Sequence, residues 1–136
     1  MRSLIWIAAV VFAVAAIFML LYPHVSCGPL PAKVVQSKND AVQISMGLRD
    51  YKSEFGVYPS GNQSQIIEAL RGKNPKGIVF IEPSERQINQ NGEFIDSWGY
   101  PFQIDFSFEK PHVWSLGKNH TNEKGKVGSD DLSSWN

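Results

Sequence analysis

The sequence predicts an α+β protein in which a transmembrane helix precedes an amphipathic helix that packs on a small antiparallel sheet. Three patterns indicate this order: an uncharged run near the N-terminus, apolar residues at helical spacing, and a strand-like alternation further on. The 136 residues suit one small domain. The 13 basic and 13 acidic residues balance, so the chain lacks the basic excess that a nucleic-acid partner requires.

The uncharged run extends from Leu4 to Tyr22. As a helix it would be about 28 Å long, close to the hydrocarbon thickness of a bilayer. We therefore expect residues 1–22 to form a transmembrane anchor. Arg2 is the only charged side chain before the run, so the positive-inside rule favours a cytoplasmic N-terminus and an exported C-terminal part.

Two alternatives to an anchor are a cleaved secretory signal and a lipoprotein signal with Cys27 as the acylated residue. The apolar run is longer than the core of most secretory signals. His24 stands where lipoprotein signals usually carry leucine, which argues against acylation of Cys27. Since Cys27 is the only cysteine, an internal disulfide is excluded.

Residues 23–31 contain three prolines and a glycine, which predicts a linker that no helix crosses smoothly. A helical pattern starts near Ala32, and Gly56 is a suitable stop. Its apolar positions recur at spacings of three and four: Ala41, Ile44, Leu48, Tyr51 and Phe55. This stripe is too short for a coiled-coil seam with another chain, so we expect it to pack on the protein's own sheet.

The sheet is predicted from an alternation that follows Pro101. Lys110 and Pro111 interrupt the pattern, and residues 112–116 read as the antiparallel return strand. The alternating apolar residues are Phe102, Ile104, Phe106 and Phe108. Because these four side chains need a cover and the helix stripe has the matching length, the sequence predicts a helix packed on the sheet.

Shorter elements are predicted around this framework. Residues 61–70 suggest a helix with Asn62 or Ser60 as its N-cap. Residues 78–81 suggest a buried strand or an extended segment, and residues 89–92 a turn. Residues 117–129 contain one apolar side chain, Val127, which predicts an exposed loop. Trp135 is expected to dock the C-terminus onto the core.

Four segments, in order along the chain, resemble the C-terminal domain of type II secretion major pseudopilins. Residues 51–60 (YKSEFGVYPS) resemble a helix end followed by a Tyr-Pro turn, and residues 96–102 (DSWGYPF) resemble the Asp-Pro-Trp-Gly-Asn-Pro-Tyr signature. Residues 115–117 (SLG) are similar to the start of the calcium loop, and residues 130–135 (DDLSSW) to the closing segment.

The resemblance implies a pilin-like periplasmic domain over residues 32–136 and a non-catalytic structural or assembly role in a type II secretion or pilus-like apparatus. Its implied location is the inner membrane, as a single-pass protein. Its implied partners are other pseudopilins or secretion-apparatus proteins. Assembly into a homo-oligomer is a further possibility.

The N-terminus departs from the pseudopilin pattern. Family members carry a Gly-Phe-Thr-Leu-Ile-Glu type segment that is cut after the glycine, and the glutamate aids assembly. Neither a glycine nor an acidic residue occurs between Met1 and Tyr22. We therefore expect an unprocessed anchor. The alternative function is a stand-alone membrane-anchored envelope recognition module that uses the fold outside a filament.

Calcium is the one cofactor that the resemblance implies. The corresponding ligands are the Leu116 carbonyl, Asn119 in place of the family's aspartate, Asp130 and Asp131. Calcium takes six to eight oxygen ligands, and its affinity depends on ligand charge. Three lysines in the same loop weaken such a site: Lys118, Lys124 and Lys126. The competing interpretation is a solvated loop whose asparagine and aspartates form turns.

We expect no enzymatic activity. The sequence has no nucleophile elbow, phosphate-binding loop or metal-spaced histidine pair. A hydrolase that uses His112 or His120 is the remaining catalytic alternative.

Overall fold

The computed structural model describes residues 31–135. The predicted anchor, residues 1–22, and the predicted linker apart from Pro31 lie outside the described residues. Between residues 31 and 135, no helix has both the length and the apolar character needed to cross a membrane.

The described chain is α+β, with two helices and a three-stranded antiparallel sheet of order β1-β2-β3. Along the chain, a short 3-10 turn lies between the second helix and the first strand. The elements in chain order are α1 (Ala32–Phe55), α2 (Gln63–Leu70), the 3-10 turn (Glu85–Gln87), β1 (Gln103–Asp105), β2 (His112–Ser115) and β3 (Leu132–Ser133).

Helix α1 begins and ends where the sequence pattern predicts. Pro31 precedes its first residue, a place where a missing N–H removes no helical hydrogen bond. At the other end Gly56 adopts φ 78°, and its N–H donates to the Lys52 carbonyl at 2.8 Å. Glycine adopts this left-handed conformation without a steric cost, so the helix stops here.

The predicted packing of the helix on the sheet is confirmed, since α1 contacts both β2 and β3. The core lies between these elements, α2 and the segments that connect them. Aromatic pairs add to it: the Tyr51 and Phe80 rings are 5.5 Å apart, and those of Phe94 and Phe102 are also 5.5 Å apart. The buried core residues are Ala41, Ile44, Leu48, Tyr51, Ile66, Ile67, Leu70, Ile81, Phe94, Phe102 and Val113.

Strand β1 is shorter than the alternation predicts. Asp105 ends it, because the Asp105 Oδ1 accepts a hydrogen bond from the Ser107 N–H at 2.7 Å and so favours a local turn over the sheet ladder. Phe106 is half-buried and stacks on Tyr58. The expected burial of Phe108 is wrong: its side chain is 52% exposed. Strand β3 was not expected as a strand.

The predicted short helix is confirmed as α2, with Asn62 and not Ser60 as its cap. The Asn62 side chain accepts from the Gln65 N–H at 3.0 Å, and the Gln65 side chain accepts from the Asn62 N–H at 2.9 Å. Residues 78–81 form the predicted extended segment, in which Val79 is exposed and Ile81 is buried. The turn at residues 89–92 is also confirmed, since the Gly92 N–H donates to the Asn89 carbonyl at 3.0 Å.

Replacing Asn62 by alanine is expected to lower the free energy of unfolding by about 1 kcal/mol, because it leaves the Gln65 N–H without its acceptor. Denaturant unfolding of the full chain measures this loss. The Ser60→Ala variant is the control, with an expected change within about 0.5 kcal/mol. Equal losses for both variants would contradict the assignment of Asn62 as the cap.

Candidate metal centre

The candidate metal centre lies in the loop of residues 116–131, which connects β2 to β3. The two ends of this loop are neighbours because Ser115 pairs with Leu132 in the sheet. Gly117 adopts φ +64°, and a Cβ at this position would lie 2.2 Å from the Asp130 carbonyl oxygen. Only glycine fits so close an approach, so Gly117 lets the loop close on itself.

Three carboxylates meet at the closed end of the loop. Glu123, Asp130 and Asp131 each offer one oxygen that lies within 4.8 Å of the other two. The Oδ1 atoms of Asp130 and Asp131 are buried and have no hydrogen-bond partner among the described residues. A buried acceptor without a partner is costly, and a cation bound at such an oxygen would supply the missing partner.

Asp131 is the most deeply placed of the three and is 7% exposed. Its Oδ2 accepts hydrogen bonds from the N–H groups of Glu123 at 3.0 Å and Gly125 at 2.9 Å. Burial raises the pKa of the Asp131 carboxyl, and the negative charges of Glu123 and Asp130 raise it further, whereas the two N–H donors oppose the shift. A divalent cation would remove the repulsion among the three groups.

The structure brings Asp130 and Asp131 together, and it places Asn119 beside them. The Asn119 N–H donates to Asp130 Oδ2 at 2.8 Å, and its side-chain amide donates to Glu123 Oε2 at 3.3 Å. Its Oδ1 accepts from the Thr121 N–H at 2.6 Å. Asn119 therefore orients the carboxylates through its donors. Leu116 is half-buried at the first position of the loop.

Glu123 is the site residue that the sequence reasoning missed. Residues 116–131 contain only three acidic side chains, Glu123, Asp130 and Asp131, so a count of carboxylates within the loop would have found it. The expected loop is otherwise observed, since most of residues 117–129 are exposed.

A buried hydrogen-bond network connects this loop to residues 96–102. Asp96 is 5% exposed, and its Oδ1 accepts from the N–H groups of Trp98 at 2.9 Å and Tyr100 at 3.0 Å. Its Oδ2 accepts from the Ser115 hydroxyl at 2.5 Å, and that hydroxyl oxygen accepts from the Gly117 N–H at 3.0 Å. Asp96 thus fixes both its own turn and the start of the loop of residues 116–131.

The same turn is also joined to the long helix. The Ser97 N–H donates to the Ser37 hydroxyl of α1 at 2.9 Å, and Ser37 is fully buried. Helix α1, the turn of residues 96–102 and the loop of residues 116–131 therefore form one connected unit.

The two histidines of the catalytic alternative both lie against aromatic rings. His112 stacks between Phe108 and Trp135, with ring centroids 3.9 and 4.0 Å away. His120 stacks on Tyr100 at 3.9 Å. Trp135 packs against the rings of His112 and Trp114 and keeps 38% of its surface exposed, so it docks the C-terminus outside the core cluster.

Comparison of the chain with protein-family models, with curated proteins and with solved structures finds no match.

Proposed function

We propose that this protein is a pseudopilin-like, non-catalytic structural or assembly component of a type II secretion or pilus-like apparatus. Residues 1–22 would anchor it in the inner membrane, with the domain of residues 32–136 in the periplasm. The observation that supports this role most is the connected unit of helix, sheet, turn and loop. Three of the four segments that resemble pseudopilins contribute to its contacts, with Asp96, Ser115 and Asp130 as the linking residues.

A second stripe on α1 supports assembly with other subunits. Val35, Val42 and Met46 are spaced by seven and four residues, so they lie on one face of the helix. Val35 and Met46 are exposed and Val42 is half-buried, which sets this face apart from the one that packs on the sheet. An exposed apolar stripe is suited to contact with a neighbouring subunit, and other pseudopilins are the partners we propose.

Site-specific photo-crosslinking in intact inner membranes tests this role. A photoreactive residue at Met46, which is 50% exposed, is expected to capture other pseudopilins or secretion-apparatus proteins. The same residue at Val79, which is 56% exposed on a different segment, is the control and is expected to capture fewer. Recovery of the protein alone from both positions would count against the proposal.

The second candidate function is a stand-alone membrane-anchored recognition module. It is favoured by one observation, the absence of a glycine and an acidic residue between Met1 and Tyr22, where pseudopilins carry their cleavage and assembly signal. This candidate predicts that cells without the protein secrete normally.

We further propose that the loop of residues 116–131 binds calcium. The oxygen atoms of this loop suit calcium, because carboxylate oxygens are preferred calcium ligands. Two buried carboxylate oxygens of the loop have no hydrogen-bond partner among the described residues. Glu123, Asp130 and Asp131 would supply the charged oxygens, and the Leu116 carbonyl is the backbone donor that the resemblance suggests. The ion would supply positive charge that holds the two ends of the loop together.

Calcium is expected to stabilise the full chain against thermal unfolding, and Asp131→Asn is expected to remove most of that effect. A ligand that binds only the folded state adds about 2.7 kcal/mol at one hundred times its dissociation constant. The measurement compares melting temperatures in calcium chloride and in chelator. The control is Asp50→Asn, which removes the charge of an exposed carboxylate on α1. A wild-type melting temperature that is the same in both solutions would refute the calcium proposal.

A further inference from the structure

The face of the sheet that points away from α1 carries an open groove of about 300 Å³. Gln103 pairs with Trp114 and Asp105 with His112, and side chains alternate along a strand, so these four lie on one face. Val113, between them, belongs to the core under α1. The remaining lining residues are Ile104, Phe108, Asn122, Lys124 and Trp135.

One side of the groove is a stack of aromatic rings. The Phe108 and His112 rings are inclined by 12°, and the His112 and Trp135 rings by 17°. Phe108 keeps 52% of its side chain exposed although one ring face lies on His112. The stack therefore presents a flat apolar surface to the solvent.

The other walls of the groove are formed by polar side chains. Asn122 is held in place because its Oδ1 accepts from the Trp114 Nε1–H at 3.0 Å, which leaves its amide N–H groups as donors. Asp105 contributes a carboxylate, whose Oδ1 also accepts from the Ser107 N–H, and Gln103 contributes an amide, whose Nε2 donates to the Pro101 carbonyl at 3.0 Å. Lys124 also lines the groove, and the formal charge of its ammonium group offsets that of the Asp105 carboxylate, so the groove favours an uncharged ligand.

We propose that this groove binds a carbohydrate, with one uncharged hexopyranose unit of an oligosaccharide as its occupant. A pyranose ring has an apolar C–H face that packs on an aromatic ring, and its hydroxyl groups each donate and accept hydrogen bonds. The amides of Asn122 and Gln103 and the carboxylate of Asp105 match those hydroxyl groups. The groove volume lies at the lower end of the range of small-ligand pockets, about 300–1,000 Å³.

This site is separate from the role in secretion, and either proposal can fail without the other. The groove is built from described residues of the sheet and of the loop, and it needs neither the anchor nor a neighbouring subunit.

Binding is tested by titrating the full chain, in detergent without sugar headgroups and with calcium chloride present, with cellotriose, maltotriose and triacetylchitotriose. Calorimetry and tryptophan fluorescence report binding, since Trp114 and Trp135 line the groove. We expect saturable one-to-one binding of at least one of these sugars. Phe108→Ala is expected to weaken it about three- to tenfold, the effect of removing one aromatic contact.

Two further variants keep the test decisive. Asn122→Ala, at an exposed position, is expected to weaken binding as Phe108→Ala does, and Val79→Ala is the control that should bind as the wild type does. The proposal is overturned if none of the three sugars saturates the protein. It is also overturned if Phe108→Ala and Asn122→Ala both fold and bind like the wild type, or if an acidic trigalacturonate binds more tightly than the uncharged sugars.

Discussion

Replacing Asp96 by alanine is expected to lower the free energy of unfolding by about 3–5 kcal/mol. The carboxylate accepts hydrogen bonds from the N–H groups of Trp98 and Tyr100 and from the Ser115 hydroxyl. A hydrogen bond to a charged group contributes about 1.5–3 kcal/mol, and a buried donor without an acceptor costs about 1–3 kcal/mol. Three donors lose their acceptor at once, so the effect exceeds that of most single substitutions.

Denaturant unfolding of the full chain measures this loss. Asp50→Ala is the matched control, because Asp50 is an exposed aspartate of α1, and its expected change is within about 0.5 kcal/mol. Because Asp96 also fixes Ser115 at the start of the loop that we propose binds calcium, Asp96→Ala is expected to weaken the response to calcium. A loss below about 1 kcal/mol would show that the network does not hold the turn and loop together.

Gly117→Ala is expected to destabilise the protein by about 2 kcal/mol or more and to remove the calcium response. Residue 117 adopts φ +64°, and an added Cβ would lie 2.2 Å from a backbone oxygen of Asp130. The left-handed conformation alone costs about 1–2 kcal/mol for a residue with a side chain. The contact with Asp130 adds to this cost, because relief requires the two ends of the loop to separate.

Gly128→Ala separates the cost of the left-handed conformation from the cost of the contact with Asp130. Gly128 lies in the same loop at φ +87°, and an added Cβ there meets no atom within 4 Å. This control is expected to lose about 1–2 kcal/mol, the conformational cost alone, and to keep its calcium response. If Gly117→Ala and Gly128→Ala had the same stability and the same calcium response, the close approach of Gly117 to Asp130 would have no role in the site.

The elements that the sequence predicts well are those whose signals are local. The stripe from Ala41 to Phe55 and the stop at Gly56 define α1, because a helix is held by hydrogen bonds four residues apart. Asn62 and Gln65 form a reciprocal cap three residues apart. The cover of the sheet by α1 also follows, since only one apolar helix face has the required length.

The elements that the sequence does not predict depend on contacts between distant residues. Strand β3 is two residues long and exists because Leu132 pairs with Ser115. The end of β1 at Asp105 depends on a competing side-chain hydrogen bond, which interrupts an alternation that continues to Phe108. Neither feature leaves a periodic signal in the sequence.

Only part of the candidate metal centre is predictable, because its other part also depends on contacts between residues that are distant in the sequence. Asp130 and Asp131 belong to the segment of residues 130–135 that resembles the pseudopilin closing segment, so the sequence indicates them directly. Glu123 joins them because its own N–H donates to Asp131 and so folds the loop back. Asn119 donates to Asp130 and Glu123, contacts that depend on the course of the backbone and leave no signal in the sequence.

The proposed role in secretion is tested most directly by measuring protein export in cells from which this gene has been deleted. We expect the exported proteins to accumulate inside the cells, and the wild-type gene to restore export. Met46→Lys, which places a charge on the exposed stripe of α1, is expected not to restore it, whereas Val79→Lys should. Normal export by the deletion strain would contradict the proposed role.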